Sequence, residues 1–85
     1  MKPIRVLVAD DHTIVRDGLV ALINGSGDCQ VVGQAADGIT AVELALKTQP
    51  DVVVVDISMP KLNGIEVVRR LTKDLETARI LVLTM

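Results

Sequence analysis

Two hydrophobic periodicities alternate along the chain. Ile4–Ala9 (IRVLVA) is a short apolar run rich in β-branched residues and bounded by Pro3 and Asp10, which predicts a strand. Beyond Asp10-Asp11-His12 the spacing changes. Val15, Leu19, Leu22 and Ile23 recur at helical intervals with Arg16 and Asp17 between them, and Asn24-Gly25 is the expected stop. Residues Gln30–Ala36 (QVVGQAA) predict a second, weaker strand. Asp37 then caps a helix whose apolar band includes Ala41, Leu44 and Ala45, and Pro50 closes it. Asp51–Ile57 (DVVVVDI) is a strand almost without polar interruption. Asn63, followed three residues on by Glu66, forms a capping-box pattern that opens a helix carrying Ile65, Val68 and Leu71. Arg79–Met85 (RILVLTM) supplies a fourth strand.

Strand alternating with helix calls for a parallel sheet with right-handed crossovers and helices on both faces. A central strand of such a sheet is buried on both sides, which explains why Val52–Val55 shows no alternation. The same architecture explains why so apolar a run ends on an acid. In open α/β sheets the functional crevice lies beyond the carboxyl ends of the strands, where the strand order reverses. Asp10 and Asp11 follow the first strand, Asp56 lies near the end of the third and Thr84 near the end of the fourth. If the first and third strands are neighbours, about 4.8 Å apart, the three carboxylates converge. Sequence order alone leaves that adjacency open, because an order of one-two-three would slide the second strand between them.

Composition narrows the setting. The 85 residues bound the chain to one domain, 1–85, with no linker, repeat or low-complexity stretch. Phe, Tyr and Trp are all absent, so the core is built from Val, Leu, Ile and Ala. Nine Lys and Arg against eleven Asp and Glu, scattered along the chain, leave no basic footprint for nucleic acid or anionic lipid. One cysteine, Cys29, excludes an internal disulfide, and no segment has the form of a signal peptide or membrane span, so a cytoplasmic protein is expected.

Three facing carboxylates repel one another, by on the order of 4 kcal/mol for each close pair at an effective dielectric near 20. A cation is therefore expected among them. Oxygen ligands with open positions suit Mg2+, which commonly takes one or two carboxylates together with a phosphate oxygen. A carboxylate beside such an ion is a nucleophile suited to a phosphoryl group, with Thr84 as one donor to its oxygens. Taken singly, Asp10 or Asp11 reads as a helix cap, Met59 as packing and Thr84 as a β-branched strand residue; His12, with no second histidine to build a site, reads as a solvated loop residue and not as a metal ligand or phosphohistidine. Only the combination with Asp56 reverses that reading for the acids.

The strings VLVADDH, VVVVDISMPKLNG and ILVLT, in this order, resemble the receiver domain of two-component response regulators, from about residue 4 to the last. DDHTIVRDGL and VVGQAADG resemble the branch whose members append a LuxR-type helix-turn-helix. The resemblance implies an α/β, flavodoxin-like three-layer sandwich whose parallel sheet has the order 2-1-3-4. It implies that Asp56 accepts a phosphoryl group from a sensor histidine kinase. Asp10, Asp11, Asp56 and the main-chain carbonyl of Ser58 would hold Mg2+, Thr84 would hydrogen-bond the phosphoryl oxygen, and Pro60 and Gly64 would shape the loop. Such a module is a phosphoacceptor rather than an enzyme, limited to self-phosphorylation and slow self-dephosphorylation, and normally controls an attached DNA-binding domain.

The family's domain continues with a fourth helix, a fifth strand bearing a lysine that contacts the phosphoryl group, and a fifth helix. None of these is in the 85 residues, and Lys61 does not match that lysine's place. On this reading the fold is incomplete, phosphorylation is slowed, and the apolar fourth strand becomes an edge, so that the chain self-associates through it, swaps elements or is only marginally folded. Other readings fit less well. A haloacid-dehalogenase-type phosphatase wants a second acid two residues beyond its nucleophile, where this chain has Ser58. A nucleotide loop at Gly33–Gly38 lacks its lysine, since Ile39 and Thr40 follow. An inert interaction module remains the third alternative.

Overall fold

The structure is a computed structural model that describes residues 2–57, 59, 64–75 and 78–83. Strands and helices alternate as β1 (Ile4–Ala9), α1 (Thr13–Gly25), β2 (Cys29–Ala35), α2 (Gly38–Thr48), β3 (Val52–Asp56), α3 (Gly64–Asp74) and β4 (Arg79–Leu83). The four strands form one parallel sheet in the order β2-β1-β3-β4. β1 and β3 are therefore neighbours, and the order reverses between them. That was the condition on which convergence of the acids rested.

The valine run is explained by two cores that meet through the sheet. Side chains alternate across a strand, so Val53 and Val55 join Leu7 and Ala9 on one face while Val54 joins Val6 and Val8 on the other. Helices α2 and α3 cover the first face through Ala41, Val42, Ala45, Val67 and Leu71, and buried Met59 fills in beside them. Among the described helices, α1 alone covers the second, through half-buried Leu19, Val20 and Ile23. The layers are thus unequal: twelve described residues are buried in the first core and three in the second.

Local chemistry sets the element ends. Asp37 accepts from the Thr40 amide at 2.8 Å and from its hydroxyl at 3.1 Å, the predicted cap of α2. At the other end Gln49 takes a left-handed conformation, φ 49°, and Pro50 follows. Asp51 locks the start of β3 to β1: its carboxylate accepts from the Arg5 amide at 2.9 Å, and its own amide donates to the Arg5 carbonyl at 2.8 Å.

One expectation holds and another needs correction. Helix α1 ends at Gly25, as Asn24-Gly25 predicted, and the Asn24 side chain accepts from the Val31 amide at 2.9 Å, stitching α1 to β2. The chain turns after Ser26, at Gly27, where φ is 83°. In α3 the buried stripe is Val67 and Leu71, continued by Leu75 just beyond the helix, whereas Ile65 faces outward and Val68 is half-buried. Ile65, Val67, Val68 and Leu71 spread apolar groups over nearly half the helix circumference, and contact with α2 selects the 67/71 side. Asn63, the cap expected for α3, lies outside the described residues, as does the end of the fourth strand beyond Leu83.

Candidate functional site

Asp10 is the first residue past β1, and its amide still donates to the Ala35 carbonyl of β2 at 2.9 Å, so the sheet holds its backbone. Its carboxylate then organises the turn into α1. Asp10 Oδ1 accepts from the His12 amide at 2.8 Å, and Arg16, on the first turn of α1, donates to the Asp10 carbonyl at 2.8 Å. Asp56 is the last residue of β3, in register with Leu83 of β4, and pairing continues one residue further through the Ile57 amide to the Leu83 carbonyl at 3.3 Å. Backbone pairing on both strands thus fixes where the two acids project.

The acids converge. One ligand atom each from Asp10, Asp11, His12 and Asp56 all lie within 4.8 Å of one another. Asp10 and Asp56 are each only 3% exposed, while Asp11 stands at the rim. Buried carboxylates are tolerated only with compensating positive charge or hydrogen bonds. The donor set, three carboxylates open to one side, is that of a hard divalent cation, and the residues fit Mg2+ on that chemistry. Of the other residues expected here, Gly64 opens α3. Ser58, Pro60 and Thr84 lie outside the described residues.

His12 is an exposed residue of the loop between β1 and α1, as expected, but it also meets the acids, which the sequence did not suggest. Its ring is half exposed, but Nδ1 lies 3.1 Å from Asp10 Oδ1, 3.1 Å from Asp11 Oδ1 and 3.6 Å from Asp56 Oδ2. The hydrogen bond to Asp10, and then the negative charge of Asp11, raise its pKa above the ordinary histidine value. Neither Asp10 nor Asp11 caps α1 through its side chain; the cap position is His12 itself, which makes no side-chain cap bond. Arg16 was likewise read only as a polar spacer in the helix. Its place four residues after His12, one turn along α1, was the available signal that it could reach back to the strand end.

Comparison with known proteins agrees with this geometry. The response regulator receiver domain family matches residues 6–85. The transcriptional regulatory protein LiaR of Bacillus subtilis is 42% identical over 95% of this chain, which spans 38% of LiaR. The crystal structure of a LuxR-family two-component response regulator from Aurantimonas superposes with a TM-score of 0.91 at 40% identity, covering 99% of this chain and 60% of that one. The CheX-CheY-BeF3-Mg2+ complex from Borrelia burgdorferi contains a chain that superposes with a TM-score of 0.88 at 30% identity, covering 96% of this chain and 62% of that one. The acid cluster thus sits at the switch point of a flavodoxin-like sheet, in a chain that belongs to the response regulator receiver domain family and has LuxR-family regulators among its relatives.

Proposed function

We propose that Asp56 is the phosphoacceptor of a signal-transduction receiver module and that a sensor histidine kinase is its donor. The observation that carries this is the meeting of Asp10, Asp11 and Asp56 at the carboxyl ends of adjacent strands. In the transfer, an Asp56 carboxylate oxygen forms a bond to phosphorus as the bond from phosphorus to the donor's leaving group breaks. Asp56 is held in register by β4 while Asp10 and Asp11 line the approach, so the attacking oxygen is placed before the donor arrives. Mg2+, held by Asp10, Asp11 and Asp56 together with the Ser58 carbonyl, supplies neutralising charge when bound. Thr84 is the hydrogen-bond donor to the phosphoryl oxygens, and Pro60 and Gly64 shape the intervening loop.

The wider reading follows the same line. Residues 1–85 act as one receiver unit, cytoplasmic, without enzymatic turnover of its own, and its output runs through an attached DNA-binding domain as in LuxR-family regulators. No described helix is long and apolar enough to cross a membrane. The 85-residue chain taken by itself pairs with a second copy along β4, where Leu81 and Val82 are exposed.

Incubation with Mg2+ and acetyl phosphate tests the assignment. The expected result is a gain of one phosphoryl mass that maps to Asp56 and is lost in Asp56→Asn. Continuous release of phosphate would instead favour a phosphatase, and no gain in mass under any condition an inert module.

A further inference from the structure

Asp10 is held from three directions. Its amide donates to the Ala35 carbonyl at 2.9 Å, its Oδ1 accepts from the His12 amide at 2.8 Å, and its carbonyl accepts from Arg16 Nη1 at 2.8 Å. The first two bonds need only main-chain donors. The third needs a side chain, and that side chain belongs to α1 rather than to the sheet. Arg16 Nε is buried without a hydrogen-bond partner, so among the described residues the Asp10 carbonyl is the one acceptor of this guanidinium. Buried donors are ordinarily satisfied. An arginine that leaves one unsatisfied while it reaches a single carbonyl is oriented by that carbonyl.

The helix that carries Arg16 is otherwise lightly held. None of its described residues is buried, and it meets the second core through half-buried Leu19, Val20 and Ile23. Among the described residues, two side-chain bonds tie it to the sheet: Arg16 at its start, and Asn24 near its end, which accepts from the Val31 amide at 2.9 Å. We propose that Arg16 is a positioning residue for the cation site, the tie through which α1 fixes Asp10 and through which a bound ion in turn tightens α1. The inference rests on the reading of the acid cluster as a cation site and adds a mechanical link from that site to a helix that carries none of its ligands. Groups that orient a metal ligand without touching the metal set how well that ligand binds. Coupling is reciprocal: if the Arg16 bond strengthens binding of the ion, the ion strengthens the seating of α1 by the same factor. Amide exchange in α1 reads that gain, since a thinly packed helix exchanges through local openings.

Mg2+ titration followed by amide NMR, with hydrogen exchange of the helices in both states, tests the link in wild type, Arg16→Gln, Arg16→Lys and Asn24→Ala. In the wild type, Mg2+ is expected to slow exchange in α1 more than in α2. Arg16→Gln lowers Mg2+ affinity a few-fold and abolishes that extra protection, and Arg16→Lys restores part of both. Asn24→Ala, which loosens the far end of the helix, leaves the affinity unchanged. An affinity indifferent to Arg16→Gln overturns the proposal, as does equal slowing of α1 and α2 in the wild type. So does an equal loss of affinity in Asn24→Ala, which would mean that any loosening of α1 suffices. Arg16→Met, which keeps the aliphatic stem, takes the place of Arg16→Gln if the amide spectrum of the latter shows misfolding. If Mg2+ shifts the Asp10, Asp11 and Asp56 amides of the wild type while Arg16→Gln binds as tightly, the positioning role alone falls. If Mg2+ leaves those amides in place, the reading of the cluster as a cation site falls with it.

Discussion

Asp10 does two jobs with one side chain: Oδ1 receives the His12 amide, which shapes the turn into α1, and the same carboxylate faces Asp56 across the β1–β3 pair. Arg16 steadies it from behind through the Asp10 carbonyl. Replacing Arg16 by Ala removes a charge-assisted bond, so urea denaturation is expected to show a loss of about 1–2 kcal/mol. Mg2+ affinity should fall a few-fold as Asp10 loosens, and Arg16→Lys should recover part of both. These two partners were poorly visible in the sequence. The acids announced themselves, because Asp10, Asp11 and Asp56 each follow an apolar run that has no other reason to end on a charge. What His12 and Arg16 do depends on the turn between β1 and α1, and no periodicity reports which way a side chain leaves a turn.

Gly33 shows how an edge strand is fitted to its neighbour. The β1–β2 register shifts between Val6 and Leu7, so that Val6 pairs with Val31 and Leu7 with Gly33. A Cβ at Gly33 would lie 2.8 Å from Leu7 Cδ1, and Leu7 is fully buried with nowhere to retreat. Gly33→Ala is therefore expected to destabilise by about 1–3 kcal/mol in denaturant melts. In α3 the inward residue is Leu71, and Leu71→Ala should cost about 2–5 kcal/mol, whereas Ile65→Ala on the outer side should cost well under 1 kcal/mol. That pair of measurements checks the corrected helix face. The helix was legible from its period, but its apolar residues cover too wide an arc to choose a side, and the choice is made by α2. Arg69 grips Glu66 on the same helix, donating from Nε at 3.1 Å and also from Nη2, and this hydrogen bond lowers the Glu66 pKa below 4.5. A carboxylate with a lowered folded value adds stability above its unfolded pKa and loses it as pH falls through the folded one. The stability gap between wild type and Glu66→Gln should thus be present at pH 7 and close at lower pH.

The whole molecule is thinner on one side than the other. A 9.1 kDa globular chain is expected to expose about 4,900 Å2, and this one exposes 5302 Å2. No described residue of α1 is buried, Ile14 and Leu22 are 88% and 74% exposed, and Leu81 and Val82 of β4 face outward. Unequal cover predicts association of the 85-residue chain at high concentration, weakened by Leu81→Lys; light scattering that shows a compact monomer throughout would oppose pairing along β4. The α/β architecture was legible from alternation alone, whereas β1–β3 adjacency was legible only through the resemblance to receiver domains, because strand order is decided by crossovers rather than by the periodicity of any strand. All that has been inferred about chemistry depends on that adjacency placing the acids around one ion. Amide NMR during Mg2+ titration reads this most directly: the signals of Asp10, Asp11 and Asp56 should shift together along one binding curve, and that curve should vanish in Asp10→Asn. Amides that stay still, or that follow separate curves with different midpoints, would contradict a shared site.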